Sequence, residues 1–464
     1  MSHTEYPRLI QGGMGVGVSN WRLARAVARR GHLGVVSGSV LDTLFVRRLQ
    51  DGDPGGHLRR AMEHFPMPGV ASTVLERWFR PARGAGEPYE LLPMYRRQVS
   101  AARQQLTMLA GFVEVWLARE GHDGPVGLNL LTKVQLPNLA LLYGAMLAGV
   151  QYVLMGAGIP REIPGVLDAL AEHRAVSMRM DVEGGDGTEL LALDPLAHWQ
   201  PATPLVRPRF LAIVSASSLA TTLVRKASGR VDGLVIEGPT AGGHNAPPRG
   251  TLTLDASGQP VYGERDAVDL AKIRELGVPF WLAGGSGAAG ALDAALAQGA
   301  AGVQVGTLFA FAEESGLDAA VRREALEAIR DGRASVFTDP KASPTGYPFK
   351  LLQVAGVEPR ERVRNCDLGY LRTAFRRDDG RIDYRCPAEP VEQYVAKGGD
   401  AADTVGRKCL CNGLLANVGH AQVTDDETLE PTLLTTGDGI DTVRELLGAR
   451  EAYTADDVID FVVA

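Results

Sequence analysis

The sequence predicts an α/β fold: a TIM (β/α)8 barrel carrying a helical insertion and an irregular C-terminal extension. Three observations predict it. Short β-branched runs alternate with alanine- and leucine-rich stretches, the pattern of parallel strands covered by helices. Eight such runs can be counted, starting near residues 8, 33, 126, 151, 210, 233, 279 and 301. Glycine-rich turns recur where those runs end, as the loops of one barrel face require. A doubly wound open sheet is the alternative use of the same units.

Taken in order, "PRLIQ" is the first strand and leads through "GGMGVG" into a helix at "SNWRLARAVARRG". "LGVVSG" follows as the second. Residues 41–123 interrupt the rhythm with helical patterns such as "YRRQVSAARQQLTMLAGFVEVWLARE". "PVGLNL", "QYVLMGAG" and "RFLAIVSA" continue the strands, each followed by a helical stretch. Residues 174–208 form a second interruption, alternating about a Gly-Asp-Gly turn as a hairpin does. "VDGLVIEG", "VPFWLAGGSG" and "AAGVQVGT" complete the series. The barrel therefore occupies residues 1–338, and a cysteine-bearing extension runs over 339–464.

Composition narrows the class. Of 464 residues, 45% are hydrophobic and 22% charged, which is ordinary for a globular chain. A net charge of −7 offers no basic field to a nucleic-acid backbone. "MSHTEYPRLIQGG" lacks the basic and apolar regions of a signal peptide. The most membrane-like stretch, "LPNLALLYGAMLAGVQYVLMGAG", is broken by Pro137, Gly144 and Gly149. The expectation is a soluble cytoplasmic protein with neither nucleic acid nor membrane as partner; its oligomeric state is not legible.

The strand ends suggest an anion site. "AGGSG" after the penultimate strand and "GT" after the last place Gly284, Gly285, Gly306 and Thr307 on one face. Glycine lets backbone N–H groups approach phosphate oxygens, and a following helix adds the positive end of its dipole. Competing phosphate motifs fail: "GGMGVGVSN" lacks the third glycine of a dinucleotide fingerprint, and no Gly-Lys pair exists for a P-loop. In "EGPTAGGHNAPPRG", His244 stands between glycines and prolines, and it is expected at the carboxyl end of the seventh strand. An imidazole there can take or deliver a proton near neutral pH. His244 is the catalytic candidate, with Gly242 and Gly243 permitting close approach to a ligand.

"LIQGGMGVGVSNWRLARAVARRGHLGVVSG", "VGLNL", "VIEGPTAGGHN", "WLAGGSG", "GVQVGTLFAFAEES" and "SPTGYPFKLLQ" together resemble the nitronate monooxygenase (2-nitropropane dioxygenase) family, over most of residues 8–350. That family includes flavin-dependent enoyl reductases. The resemblance implies FMN in a TIM barrel, with Gly13 and Met14 against the flavin, Asn129 hydrogen-bonded to it and the two late glycine turns at its phosphate. His244 matches the family's active-site histidine. The sequence departs from the family where Arg-Gly often follows Gly-Gly-His, for here Asn245, Ala246, Pro247 and Pro248 stand instead. Three functions are therefore carried forward. The first is oxidation of a small nitro compound. The second is reduction or dehydrogenation of an enoyl or acyl thioester, with an acyl carrier protein as partner. The third is a non-catalytic flavin-binding module.

The first 365 residues contain no cysteine, which disfavours barrels that oxidise purine nucleotides through a cysteine nucleophile. Cys366, Cys386, Cys409 and Cys411 cluster in the extension and are candidate thiolate ligands for zinc or an iron–sulfur cluster. Incidental buried thiols are the alternative.

Overall fold

The computed structural model describes residues 6–84, 86–357, 362–423 and 428–464, and within them the eight expected strands form one parallel sheet. They are β1 (Leu9–Gln11), β2 (Gly34–Ser37), β3 (Val126–Leu131) and β4 (Tyr152–Gly156), then β5 (Arg209–Val214), β6 (Gly233–Glu237), β7 (Phe280–Ala283) and β8 (Gly302–Val305). Each pairs with the next from β2 to β8, and β8 pairs with β1. The seam between β1 and β2 closes through Gln11 N–H to Leu33 O at 2.9 Å and Leu33 N–H to Leu9 O at 3.1 Å. The sheet is thus a closed barrel. The strand before His244 is the sixth, not the seventh: the run starting near residue 233 has only five barrel strands before it.

Alternation along the strands sorts their side chains. Ile10, Val35, Leu154, Leu211, Val235 and Trp281 fill the barrel's interior as one apolar cluster. Their neighbours Leu9, Val36, Val153, Phe210, Leu234 and Phe280 face the surrounding helices. This two-sided burial explains why these strands read as near-continuous apolar runs.

Helices and a hairpin fill the two stretches that interrupt the barrel strands. The first contributes helices Leu41–Gln50, His57–Met62, Val70–Trp78 and Ala101–Arg119. In the second, Val176–Arg179 pairs antiparallel with Leu190–Leu193.

The extension is not irregular. β9 (Ala334–Asp339) and β10 (Phe349–Val354) form an antiparallel pair. Helices Leu410–Ala416, Ile440–Leu447 and Ala455–Val463 follow. The last returns to the barrel's first helix, Trp21–Arg29, where Arg30 bonds Asp456 at 3.0 Å and Asp460 at 2.6 Å. Their apolar spacing is helical, but no βα period announces them. A buried ion pair ties insertion and extension together: Arg103 meets Asp42 at 2.7 Å, and the Tyr370 hydroxyl donates to Asp42 at 2.5 Å.

Candidate active site

At the carboxyl ends of the strands the barrel interior changes from apolar to polar. Glu237 lies level with Ala283, Ala283 with Gln304 and Gln304 with Ile10, so consecutive strands set these side chains in one inward layer. Asn129, on β3, shares that inward face by alternation with the outward Leu128 and Leu130. Above this floor is a cavity of about 260 Å³.

All nine sequence candidates for cofactor and catalysis line that one cavity: Gly13, Met14, Asn129, Gly243, His244, Gly284, Gly285, Gly306 and Thr307. One detail differs. The helix after Gly306 starts at the turn but has only four residues, Thr307–Ala310, and the helix after the other turn begins only at Ala291, so neither turn leads directly into a long helix. Three contributions were not foreseen from the sequence. Glu237 and Gln304 lie in the floor, and residues 434–442 of the extension supply Leu434, Thr435, Thr436, Gly437, Gly439 and Thr442 to the wall. An acid ending the apolar run "GLVIE" was the available signal for Glu237. The extension segment carried none.

His244 is fixed from both sides. Asn245 N–H bonds Pro348 O at 2.9 Å, and Lys350 N–H bonds Gly243 O at 3.0 Å, so the loop forms a bridge with β10. The edge of the imidazole packs on Phe349 with ring centres 4.9 Å apart. Its Nε2 is 2.7 Å from Ser343 Oγ, which also sits 2.8 Å from Thr345 Oγ1. Enclosure pushes the His244 pKa down to about 4, so the ring is neutral near pH 7. The same desolvation pushes the Glu237 carboxyl up to about 7.

The four cysteines converge on a second, small cavity of about 10 Å³, and Cys411 lines both cavities. They do not make the expected metal site. Among the described residues, no three histidine, cysteine, aspartate or glutamate side chains are placed to hold an ion. The space is about one water's, too little for a cluster. Three of the thiols are pushed toward the protonated form: contact with Cys386 and burial push Cys366 up, burial pushes Cys409 up, and burial takes Cys411 to about 12. They serve as small apolar groups between the extension and the cavity.

Comparison with known proteins decides the family. The nitronate monooxygenase family model matches residues 200–452, more than half of the chain, including the His244 loop and the two late glycine turns. The chain belongs to the nitronate monooxygenase family. Family membership speaks for an enzymatic reading over the non-catalytic binding module. Two curated relatives are named as 5-hydroxy-7a-methyl-1-oxo-octahydro-1H-indene-4-carboxyl-CoA dehydrogenases. The one from Mycobacterium tuberculosis is 29% identical over 194 residues, 40% of this chain and 50% of the relative. That from Rhodococcus jostii is 30% identical over 171 residues, 37% and 42% of the two chains. The matches thus span half or less of those relatives. Among solved structures, nitroalkane oxidase from Streptomyces ansochromogenes aligns over 98% of this chain and 94% of its own, at 17% identity and a TM-score of 0.46. FabK from Thermotoga maritima covers 99% and 92%, at 16% and 0.45. No helix among the described residues is long and apolar enough to cross a membrane.

Proposed function

We propose that this member of the family binds FMN across the cavity and oxidises a small nitro compound beside His244. The residues fit such a cofactor. A Cβ on Gly13 would lie 2.1 Å from Asn129 Cβ, so only glycine lets the first turn sit against the barrel floor. Gln304 Oε1 and Thr436 Oγ1, both at the cavity, are buried without a hydrogen-bond partner, a state that a polar ligand would relieve. Gly13, Met14 and Asn129 would hold the ring system. Gly284, Gly285, Gly306 and Thr307 would surround the phosphate, and Gly243 would leave room above the ring. Bound flavin supplies two-electron redox chemistry.

The observation that carries the catalytic reading is a neutral imidazole pinned on the cavity wall. With Nε2 engaged by Ser343, the ring keeps one orientation. A desolvated neutral imidazole accepts a proton from the carbon next to a nitro group, and the apolar wall of Leu131, Val134 and Leu414 excludes competing water. The test is oxygen consumption by the flavin-loaded protein with a neutral nitroalkane, which still carries the proton that His244 would accept. Turnover of His244→Ala should fall roughly 10²–10⁴-fold with flavin still bound. Full turnover in that variant would sink the assignment.

A second reading, oxidation or reduction of an acyl thioester, is favoured by the two coenzyme A-ester dehydrogenases among the relatives. Asn245–Pro248 in place of the usual Arg-Gly also fits a different substrate. The two readings separate cleanly. Bleaching of the flavin by an acyl-CoA without oxygen, or NAD(P)H-dependent loss of an enoyl thioester, would select the second.

A further inference from the structure

We propose that residues 435–442 of the extension form a third wall of the phosphate subsite, with the Thr436 hydroxyl donating to the cofactor's terminal phosphate. This rests on the FMN reading above and goes beyond it, because it assigns cofactor recognition to a segment outside the barrel.

The argument begins with an orphaned group. Thr436 is 4% exposed, lines the cavity and has no hydrogen-bond partner for Oγ1. A buried hydroxyl left unpaired is costly, and a phosphate oxygen is the acceptor it lacks. Its neighbours converge on the same place. Gly437 N–H donates to Thr307 Oγ1 at 3.0 Å, which occupies an acceptor site of that hydroxyl and leaves its proton for a ligand. Gly439 and Thr442 line the cavity at the start of helix Ile440–Leu447, whose eight residues direct a positive dipole end there. This helix is twice as long as the four-residue one after Gly306.

The segment is held in place by backbone contacts. Asp438 N–H bonds Thr240 O at 3.0 Å, and Gly243 N–H bonds Thr435 Oγ1 at 3.2 Å. The approach is close: a Cβ on Gly437 would lie 2.8 Å from both Thr240 O and Thr307 Oγ1. Nearby negative charge is already paired. Asp438 meets Lys350 at 2.8 Å, and Asp441 turns to Arg444 at 2.7 Å. Among the described residues no lysine or arginine lines the cavity, so hydroxyls, backbone N–H groups and a helix end must hold the dianion.

The experiment titrates flavin-free full-length protein with FMN and, separately, with riboflavin, following flavin fluorescence. Thr436→Val should weaken FMN about tenfold and leave riboflavin unchanged, because riboflavin has no phosphate. Thr436→Ser, which keeps the hydroxyl, should retain FMN affinity. Thr442→Val is an independent second variant, with the same selectivity expected. Unchanged FMN affinity in both valine variants overturns the proposal, as does an equal loss of FMN and riboflavin. If the wild-type protein binds neither flavin, the FMN reading itself has failed, a result distinct from loss of selectivity.

Discussion

The two walls of the cavity are built by different means. On the barrel side, Asn129, Glu237 and Gln304 ride on strands whose register is fixed by a closed ladder of hydrogen bonds. On the extension side, residues 435–442 have no ladder; single bonds to Thr240, Gly243 and Thr307 and the Asp438–Lys350 ion pair hold them. The contrast teaches where precision and where adjustment reside. The floor of the cavity cannot move without opening the barrel, whereas the wall formed by residues 435–442 depends on how firmly the extension is anchored.

The largest effect is expected at that anchor. Asp42 is fully buried and accepts from Arg103 at 2.7 Å, Thr107 Oγ1 at 3.1 Å and Tyr370 at 2.5 Å, so one carboxylate joins the helical insertion to the extension. Asp42→Ala leaves the Arg103 guanidinium buried and unpaired, at a cost of about 3–5 kcal/mol. Urea unfolding should show that loss, and the extension should become protease-sensitive before the barrel does. Loss of both together would mean that the two regions are one cooperative unit.

A change in the barrel floor should be smaller in stability but more decisive for the cofactor. Gly13→Ala drives a Cβ to 2.1 Å from Asn129 Cβ and 3.1 Å from Val35 Cγ1. Because the ladder resists movement, strain of about 1–3 kcal/mol is expected, and Asn129 must turn into the cavity. The purified variant should be colourless although folded. A yellow Gly13→Ala protein with wild-type absorbance would show that the floor yields more readily than its register implies.

The barrel wall was legible because its signals are local. A β-branched run followed by glycine marks many of the strand ends, and the barrel places those ends on one face; hence His244 and both late turns could be named from the residues, while Gly13 and Asn129 are named through the family resemblance. The extension wall was not legible. Thr436 and Thr442 are ordinary residues in sequence, and only tertiary folding brings "TTGDG" to the glycine turns. The thiols failed in the opposite sense. Their proximity in the chain did predict proximity in space, but not the burial that pushes Cys409 and Cys411 up.

The last effect is one that the wild-type protein hides. Glu237 belongs to the barrel wall, while His244 is clamped by β10 and Ser343, and burial shifts the two groups in opposite senses. Between pH 4.5 and about 7 the folded protein keeps a proton on Glu237 that the unfolded chain has released, so this group lowers stability as pH rises. Between about 4 and 6.5 the unfolded chain carries a proton on His244 that the folded protein lacks, so this group raises stability as pH rises. Where the windows overlap, the slopes cancel. Glu237→Gln should therefore uncover a rise in stability from pH 4 to 6.5, and His244→Gln a fall from 4.5 to 7, each of at most about 1.4 kcal/mol per pH unit. Urea midpoints of flavin-free protein across that range would show it. Two variants with parallel curves would mean that the groups titrate as one coupled pair across the cavity, and the walls would then be electrostatically joined.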